Sequence, residues 1–531
     1  MLYVTCLAGL ANAVLLGLIN LAAADAAEGT RIDLSLLLMY GLAFAIYAMA
    51  NRASLRQANE FVQRRIGELR QRLTDKIRRA ELLTLEQTGR GRLDAVVAQE
   101  TSHLAQNFPL LVSAAQGLFV LAFCLLYIAA LSPVSFLVVA AVTAAGLAVF
   151  YRRQRALDQA MLAVHAQEAA MLDSLAHVTE GFPAIRLNAN RNDALFQRFM
   201  QIVDRLESMV VGIGGKWVVL ILFSNAFLYA LLGVVVFVLP LFFQGYTVII
   251  YKLAAAAIFC VWPVGALTSA APLYSRAVVG LGHVFRLEDE LDANAAAGAR
   301  AAPPARSRFS GFREIRFAEI GFTYRDAAGN PGFAVGPWSL QLHRGELLFL
   351  LGGNGSGKST ALKLMSGLYP AGAGRIVVDG APVEPDSMQE YRELFSCIFP
   401  DFHLFDRLHG LDDVDPTQVE ALIARMGLAG KVSYADGRFS TQQLSTGQRK
   451  RLAMIVTLIE DREICFFDEW AADQDADFRA QFYEEILPEL KRLGKTVVVV
   501  THDDRFWHLA DRRVTLDLGR VIPSAPPPAG R

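Results

Sequence analysis

An all-helical domain built from six membrane-spanning segments, followed by an α/β domain, is the architecture this sequence predicts. Three observations carry it. Of 531 residues, 53% are hydrophobic and only 19% charged. The apolar excess is concentrated in roughly the first 280 residues as long runs that lipid solvates better than water. The second half instead alternates short β-branched or apolar runs with helical stretches, the pattern of an α/β sheet. Finally, Gly352-Gly353-Asn354-Gly355-Ser356-Gly357-Lys358-Ser359-Thr360 lies between an apolar strand (Leu347 to Leu351) and a helical run (Ala361 to Met365). That is the setting a phosphate-binding loop requires.

The helical half comes first. Six stretches are long and apolar enough to span a bilayer: 2–24, 34–51, 110–131, 134–151, 217–240 and 247–270. The first lacks the basic flank of a cleaved signal peptide and reads as a retained helix. Basic residues set the orientation. The connection after the second span carries Arg52, Arg56, Arg64, Arg65 and Lys76, and that after the fourth carries Arg152, Arg153, Arg155 and Arg186. The links at Ser132-Pro133 and Gln244-Gly245-Tyr246 have no basic residue, so both termini are expected in the cytoplasm. Residues 55–85 and 153–178 keep helical periodicity and read as spanning helices prolonged into the cytoplasm. Breaks follow at Thr88-Gly89-Arg90-Gly91 and Glu180-Gly181-Phe182-Pro183, where a helix turned sideways is placed to dock on a cytosolic partner. The alanine- and proline-rich stretch Ala293 to Arg306 cannot bury a core and reads as a linker. The domains are therefore expected at 1–291 (membrane) and 311–531 (nucleotide-binding), with the linker at 292–310.

A net charge of −1 gives no sign of nucleic-acid binding. The five scattered cysteines have neither metal-ligand nor disulfide spacing.

In the second half the chemistry is local. Gly352, Asn354, Gly355, Ser356 and Gly357 let backbone N–H groups converge on nucleotide phosphates at a helix N-terminus. Lys358 reaches the β- and γ-phosphates of ATP, Ser359 holds Mg²⁺, and Thr360 completes the loop. Ile464 to Asp468 is an apolar strand ending in a carboxylate suited to orient Mg²⁺, and Glu469 follows as the general base for an attacking water. His502, at the end of the apolar strand Val497 to Val500, is placed to sense the γ-phosphate. Tyr324 is placed to stack on adenine.

Leu444-Ser445-Thr446-Gly447-Gln448, followed by Arg449-Lys450-Arg451, resembles the signature segment of ABC ATPases. By that resemblance, Ser445 and the backbone of Gly447 donate to the γ-phosphate of a partner's ATP, which implies a head-to-tail homodimer. The run Phe467 to Asp475, together with Asp401-Phe402-His403-Leu404-Phe405 and Thr501-His502-Asp503-Asp504, narrows the resemblance to the cyclic-peptide exporters, which include the pyoverdine-precursor, syringomycin and microcin exporters. The resemblance implies a type IV exporter-like membrane domain fused to an ABC ATPase in the bacterial inner membrane, with the ATPase in the cytoplasm. It also implies a peptide substrate and a D-loop at Asp475. The chain departs from the ABC pattern at Pro400, where a glutamine usually senses Mg²⁺ and water; Asp401 is the candidate substitute. Trp470 stands where a proline is usual, and Thr446 where a glycine is. The sequence opens almost at the first span, so neither an elbow helix nor a peptidase domain is expected before it.

The expected mechanism is alternating access driven by ATP binding and reset by hydrolysis. Candidate cavity groups are Gln116, Tyr127, Asn225, Tyr229 and Trp262, with Pro263 as a bend and Lys252 as the main charge in the spans. Amides and aromatics of this kind suit an amphipathic peptide. A lipid flippase of the same architecture is the alternative, an exporter-shaped importer is a further one, and a non-pumping regulatory ABC protein is the reading from another class.

Overall fold

The computed structural model describes residues 2–27, 34–238, 252–253, 256, 258–294, 307–326, 329–411 and 413–522. The chain divides into two compact units. One comprises Met1–Thr74 and Gly91–Asp289, the other Asp75–Arg90 and Glu290–Arg531.

The helical unit contains α1 (Leu2–Ala27) and most of α2 (Leu34–Arg79). Short α3 (Leu82–Thr88) belongs to the other unit. Then come α4 (Arg90–Leu131), α5 (Pro133–Glu180), α6 (Phe182–Arg186), α7 (Ala189–Gly233) and α8 (Val261–Ala293). Ser132 stops α4 and starts α5: its hydroxyl accepts from the Ser135 N–H, and Pro133 fits the first turn, which needs no N–H. Asn188 caps α7 in the same way by accepting from Arg191 N–H. Phe150, Leu157 and Val164 of α5 interlock with Ile213 and Leu220 of α7. The two helices also meet closely at Gly146, where a Cβ would come within 2.4 Å of the Phe227 ring. On the outward side of α2, Leu38, Leu42 and Met49 are exposed, as lipid-facing positions are.

Among the described residues, four helices are long and apolar enough to cross a membrane: Leu34–Arg79, Arg90–Leu131, Pro133–Glu180 and Ala189–Phe223. The first expected span lies in α1 as the shorter apolar stretch Cys6–Ala22, and the fifth ends in Tyr229–Val238. Much of the sixth, the Gln244-Gly245-Tyr246 link and most of the linker (295–306) lie outside the described residues.

Two domain boundaries differ from expectation. Asp75–Arg90, assigned by sequence to the membrane domain, packs with the second unit, because Leu82 and Leu83 rest against that unit's core. Phe309, expected in the linker, is buried in the same core edge-on to Tyr391.

The second unit has two main sheets. An antiparallel one runs β2-β1-β4-β5, from β1 (Glu314–Arg325), β2 (Pro331–His343), β4 (Ala373–Val378) and β5 (Ala381–Pro382). A six-stranded one runs β12-β11-β3-β10-β9-β6. Its strands are β3 (Leu347–Leu351), β6 (Phe395–Ile398), β9 (Ile464–Asp468), β10 (Thr496–Val500), β11 (Arg512–Asp517) and β12 (Arg520–Ile522), all parallel except β12. A small hairpin, β7 (Tyr434–Ala435) and β8 (Arg438–Phe439), stands apart.

Strand alternation sorts the core into two layers. Leu348 and Leu350 of β3, with Val498 and Val500 of β10, pack against Ala361, Leu362, Leu364 and Met365 of α9 (Lys358–Met365). Leu347, Phe349 and Leu351, with Val497 and Val499, pack in a separate cluster. It also holds Val419 and Ile423 of α10 (Pro416–Arg425) and Leu452 to Ile455 of α11 (Thr446–Glu460). The P-loop helix and the signature helix therefore lie on opposite faces of the six-stranded sheet.

Candidate functional site

Fully buried β3 delivers the chain to Gly352, whose φ of +146° only glycine adopts readily; a Cβ there would sit 2.2 Å from the Leu516 carbonyl oxygen. Gly357, also at positive φ, precedes the first turn of α9. The Lys358 side chain is 5% exposed and folds back over the loop, donating to the Gly352 and Gly353 carbonyls at 3.0 and 2.9 Å.

Asp468, at the end of β9 and in register with Val500, is 1% exposed, and neither carboxylate oxygen has a hydrogen-bond partner. Burial pushes its pKa up, and the nearby Ser359 hydroxyl is the strongest opposing influence. Ser356 Oγ is buried and unpartnered as well. An orphaned carboxylate beside a helix-N-terminal hydroxyl is a hard-oxygen donor set, which fits Mg²⁺.

Glu469 occupies a left-handed turn (φ +48°), and Lys450 Nζ clamps its carbonyl at 2.8 Å. That turn brings Glu469 Oε1 to 3.1 Å from His502 Nε2 and 3.8 Å from Lys358 Nζ. Residues from three strand ends, β3, β9 and β10, thus meet at one point. Tyr324 is half-buried at the rim, its hydroxyl 3.0 Å from Thr360 Oγ1 and its ring edge-on to Phe322 and Tyr369.

The signature residues lie on the other face. Ser445 caps α11 through a reciprocal pair: its hydroxyl accepts from Gln448 N–H while the Gln448 side chain accepts from Ser445 N–H. Thr446 opens the helix, Leu444 packs against the core, and the Gly447 carbonyl accepts from Gln474 Nε2 at 3.1 Å. Asp475 caps the next short helix by accepting from Phe478 N–H, which holds its carboxyl below the usual range; Arg451 at 2.5 Å adds to this. Asp401 is exposed in the turn after β6, next to Pro400.

Sequence reasoning passed over Lys450 and the role of Trp470. The indole is fully buried, packed at a 31° tilt against the Phe482 ring with centroids 4.5 Å apart, and donates to the Lys450 carbonyl at 2.9 Å. It thereby ties α11 to the turn that carries Glu469. A tryptophan directly after an Asp-Glu pair was the available signal.

The expected cavity residues with described side chains fall in different surroundings. Gln116 is buried and donates to Ser54 between α4 and α2. Tyr229 is 77% and Trp262 49% exposed, and the Asn225 side chain lies outside the described residues. A cavity of about 900 Å³ is walled by α4, α5 and α8, with Phe108, Leu118, Tyr151, Arg155 and Tyr274 among its lining residues. Residue type says which groups are polar but not which way a helix turns them.

Residues 335–472 match the ABC transporter family model, and this segment is an ABC transporter domain. ATP-binding protein SyrD of Pseudomonas syringae pv. syringae is 46% identical over 212 residues, 39% of this chain and 38% of SyrD. The macrolide export ATP-binding/permease protein MacB of Vibrio parahaemolyticus is 30% identical over 201 residues, 35% of this chain and 30% of that protein. The chain thus spans less than two fifths of the length of these two relatives. A solved bacterial Atm1-family ABC exporter with ATP bound superposes with a TM-score of 0.78 over 97% of this chain and 92% of that one, at 17% identity. The chain has that exporter's fold.

Proposed function

From an ABC transporter domain set in an exporter fold, we propose an ATP-driven exporter that works as a homodimer and moves a peptide out across the bacterial inner membrane. The observation that carries this reading is the separation of α9 and α11 by the six-stranded sheet. A P-loop and a signature segment on opposite faces support composite sites, each closed by a second copy of the chain.

In each site Lys358 neutralises the β- and γ-phosphates, while the loop N–H groups orient them. Ser359 and Asp468 would hold Mg²⁺, which would supply charge neutralisation on the same phosphates. Glu469 polarises the attacking water, and His502 holds that carboxylate in place. Closure of both sites has to supply about 5 kcal/mol of preference to invert a strongly inward-biased membrane domain. The resemblance of the Phe467 to Asp475 run to the cyclic-peptide exporters supports the peptide class. The cavity is largely apolar, with Arg155 as the only charged residue lining it among the described residues, which supports an amphipathic cargo with an anionic or amide-rich head.

Two crippled chains test the dimer. Lys358→Ala and Ser445→Arg should each abolish ATPase activity alone. Co-expressed, they form mixed dimers with one site doubly damaged and the other intact, so activity should partly return. No recovery in isolated mixed dimers would overturn the composite site. Uptake of labelled peptides against lipids into inverted vesicles separates the peptide reading from a flippase.

A further inference from the structure

The neighbours of Asp75–Arg90 on both sides in the chain belong to the helical unit, yet the segment itself packs with the ATPase unit. What it touches there is the framework of the nucleotide site. Glu86 on α3 has two partners. Lys363 Nζ donates to one oxygen at 2.8 Å, and the Tyr369 hydroxyl donates to the other. Lys363 lies on α9, the helix that begins with Lys358 and Ser359.

Tyr369 is 3% exposed, and its burial, reinforced by Glu86, pushes the phenol's pKa up, so it remains a donor. Its ring stands edge-on to Tyr324, with centroids 6.2 Å apart, and the Tyr324 hydroxyl reaches Thr360. Glu81 pairs with Arg392 at 3.0 Å, both about four-fifths buried, and anchors the N-terminal end of α3. A continuous set of contacts therefore runs from α3 through Glu86, Tyr369 and Tyr324 to the last P-loop residue, with Lys363 as a branch along α9.

We propose that Glu86 is a positioning residue for the ATP site, holding α9 through Lys363 and the Tyr324 ring through Tyr369. The proposal rests on the reading that Tyr324 and the P-loop take ATP. By linkage, whatever factor α3 contributes to ATP affinity, bound ATP returns to the seating of α3. Pro400, which has no side-chain donor or acceptor, leaves the turn after β6 unable to make a comparable side-chain contact at that position.

The test uses the full chain in lipid nanodiscs with Mg·ATP as the probe. Glu86→Gln and Tyr369→Phe should each raise KM for ATP roughly threefold to tenfold, the scale of one lost charge-assisted hydrogen bond, and change kcat less. The double variant should fall short of the sum of the single effects, because both changes act on the Glu86–Tyr369 contact. In hydrogen exchange, Mg·ATP should slow the amides of 82–88 in the parent protein, and both variants should lose that effect while 352–360 stay protected. Additive KM effects, an unchanged KM, or equal protection of 82–88 in the variants would overturn the proposal. Failure of Mg·ATP to protect 352–360 in the parent protein would remove the function reading as well, whereas a failure confined to 82–88 counts against this inference alone. Tyr369→Phe, which deletes one hydroxyl, carries the test should Glu86→Gln fold poorly.

Discussion

The two units spend their polar side chains differently. In the ATPase unit, Lys358, Asp468, Glu469 and His502 are gathered at adjacent strand ends, partly unpaired and ready for a ligand. In the helical unit, several buried polar groups are occupied by other side chains, although Asn20 and Thr143 are buried without a partner. Gln116 binds Ser54, and Arg72 pairs with Glu288 at 2.7 Å. The large cavity there is bounded mainly by apolar surface. Chemistry on phosphate needs fixed charges at fixed places, whereas holding an amphipathic cargo needs volume and one or two directing groups. The first requirement leaves a mark in contiguous sequence and the second does not.

The contrast yields four expectations, beginning with the largest. Glu469→Gln should lower ATPase activity about 10²–10⁴-fold, the usual worth of a general base, while ATP binding survives; phosphate release and nucleotide retention measure the two. Full turnover in that variant would remove Glu469 from the site.

Trp470→Ala should destabilise the ATPase unit by about 3–5 kcal/mol, as loss of a buried aromatic does. Trp470→Phe keeps an aromatic ring against Phe482 but loses the bond to the Lys450 carbonyl and part of the buried ring volume, a cost of about 2 kcal/mol. Thermal unfolding gives both values. A Phe variant that hydrolyses ATP more slowly than its stability predicts would show that the indole aligns Glu469.

Arg155→Ala should weaken substrate stimulation of the ATPase roughly tenfold for an anionic cargo. Gln116→Leu should cost about 1 kcal/mol of stability and leave that stimulation unchanged. The reverse pattern would return the cargo site to the residues first expected.

The smallest effect concerns Asp468. Its pKa is raised above the ordinary 3.8, so the folded state binds this proton more tightly than the unfolded one. Its stabilising contribution is complete below the ordinary aspartate range and is lost as pH rises through the raised value. In magnesium- and nucleotide-free protein, Asp468→Asn should flatten that part of the melting-temperature profile. It should raise neutral-pH stability by about 1 kcal/mol and abolish magnesium-dependent hydrolysis. A profile identical to the parent's would show that the carboxylate is not strained by burial.

Much of the ATPase site was legible because its parts are short and local. A glycine-rich turn between strand and helix, an apolar strand ending in Asp-Glu, and a strand-end histidine each specify their own backbone, and the parallel sheet brings their ends together. The α3 contacts were less legible. The periodicity of 55–85 gave the long helix and a break nearby, but pairing Glu86 with Lys363 and Tyr369 joins positions more than 270 residues apart. The cavity was the least legible part, since helix rotation, rather than composition, decided that Arg155 faces it and that Gln116 faces Ser54.

By itself, the sequence determined the two-part architecture, the phosphate loop, the carboxylates and the signature segment, because hydropathy, glycine placement and strand periodicity act over a few residues at a time. The tertiary structure decided that α9 and α11 stand on opposite faces of one sheet, that Trp470 ties α11 to the Glu469 turn, and that Asp75–Arg90 packs with the ATPase unit. Those outcomes depend on packing between distant segments, where shape and burial select the partner and local pattern carries no record of it.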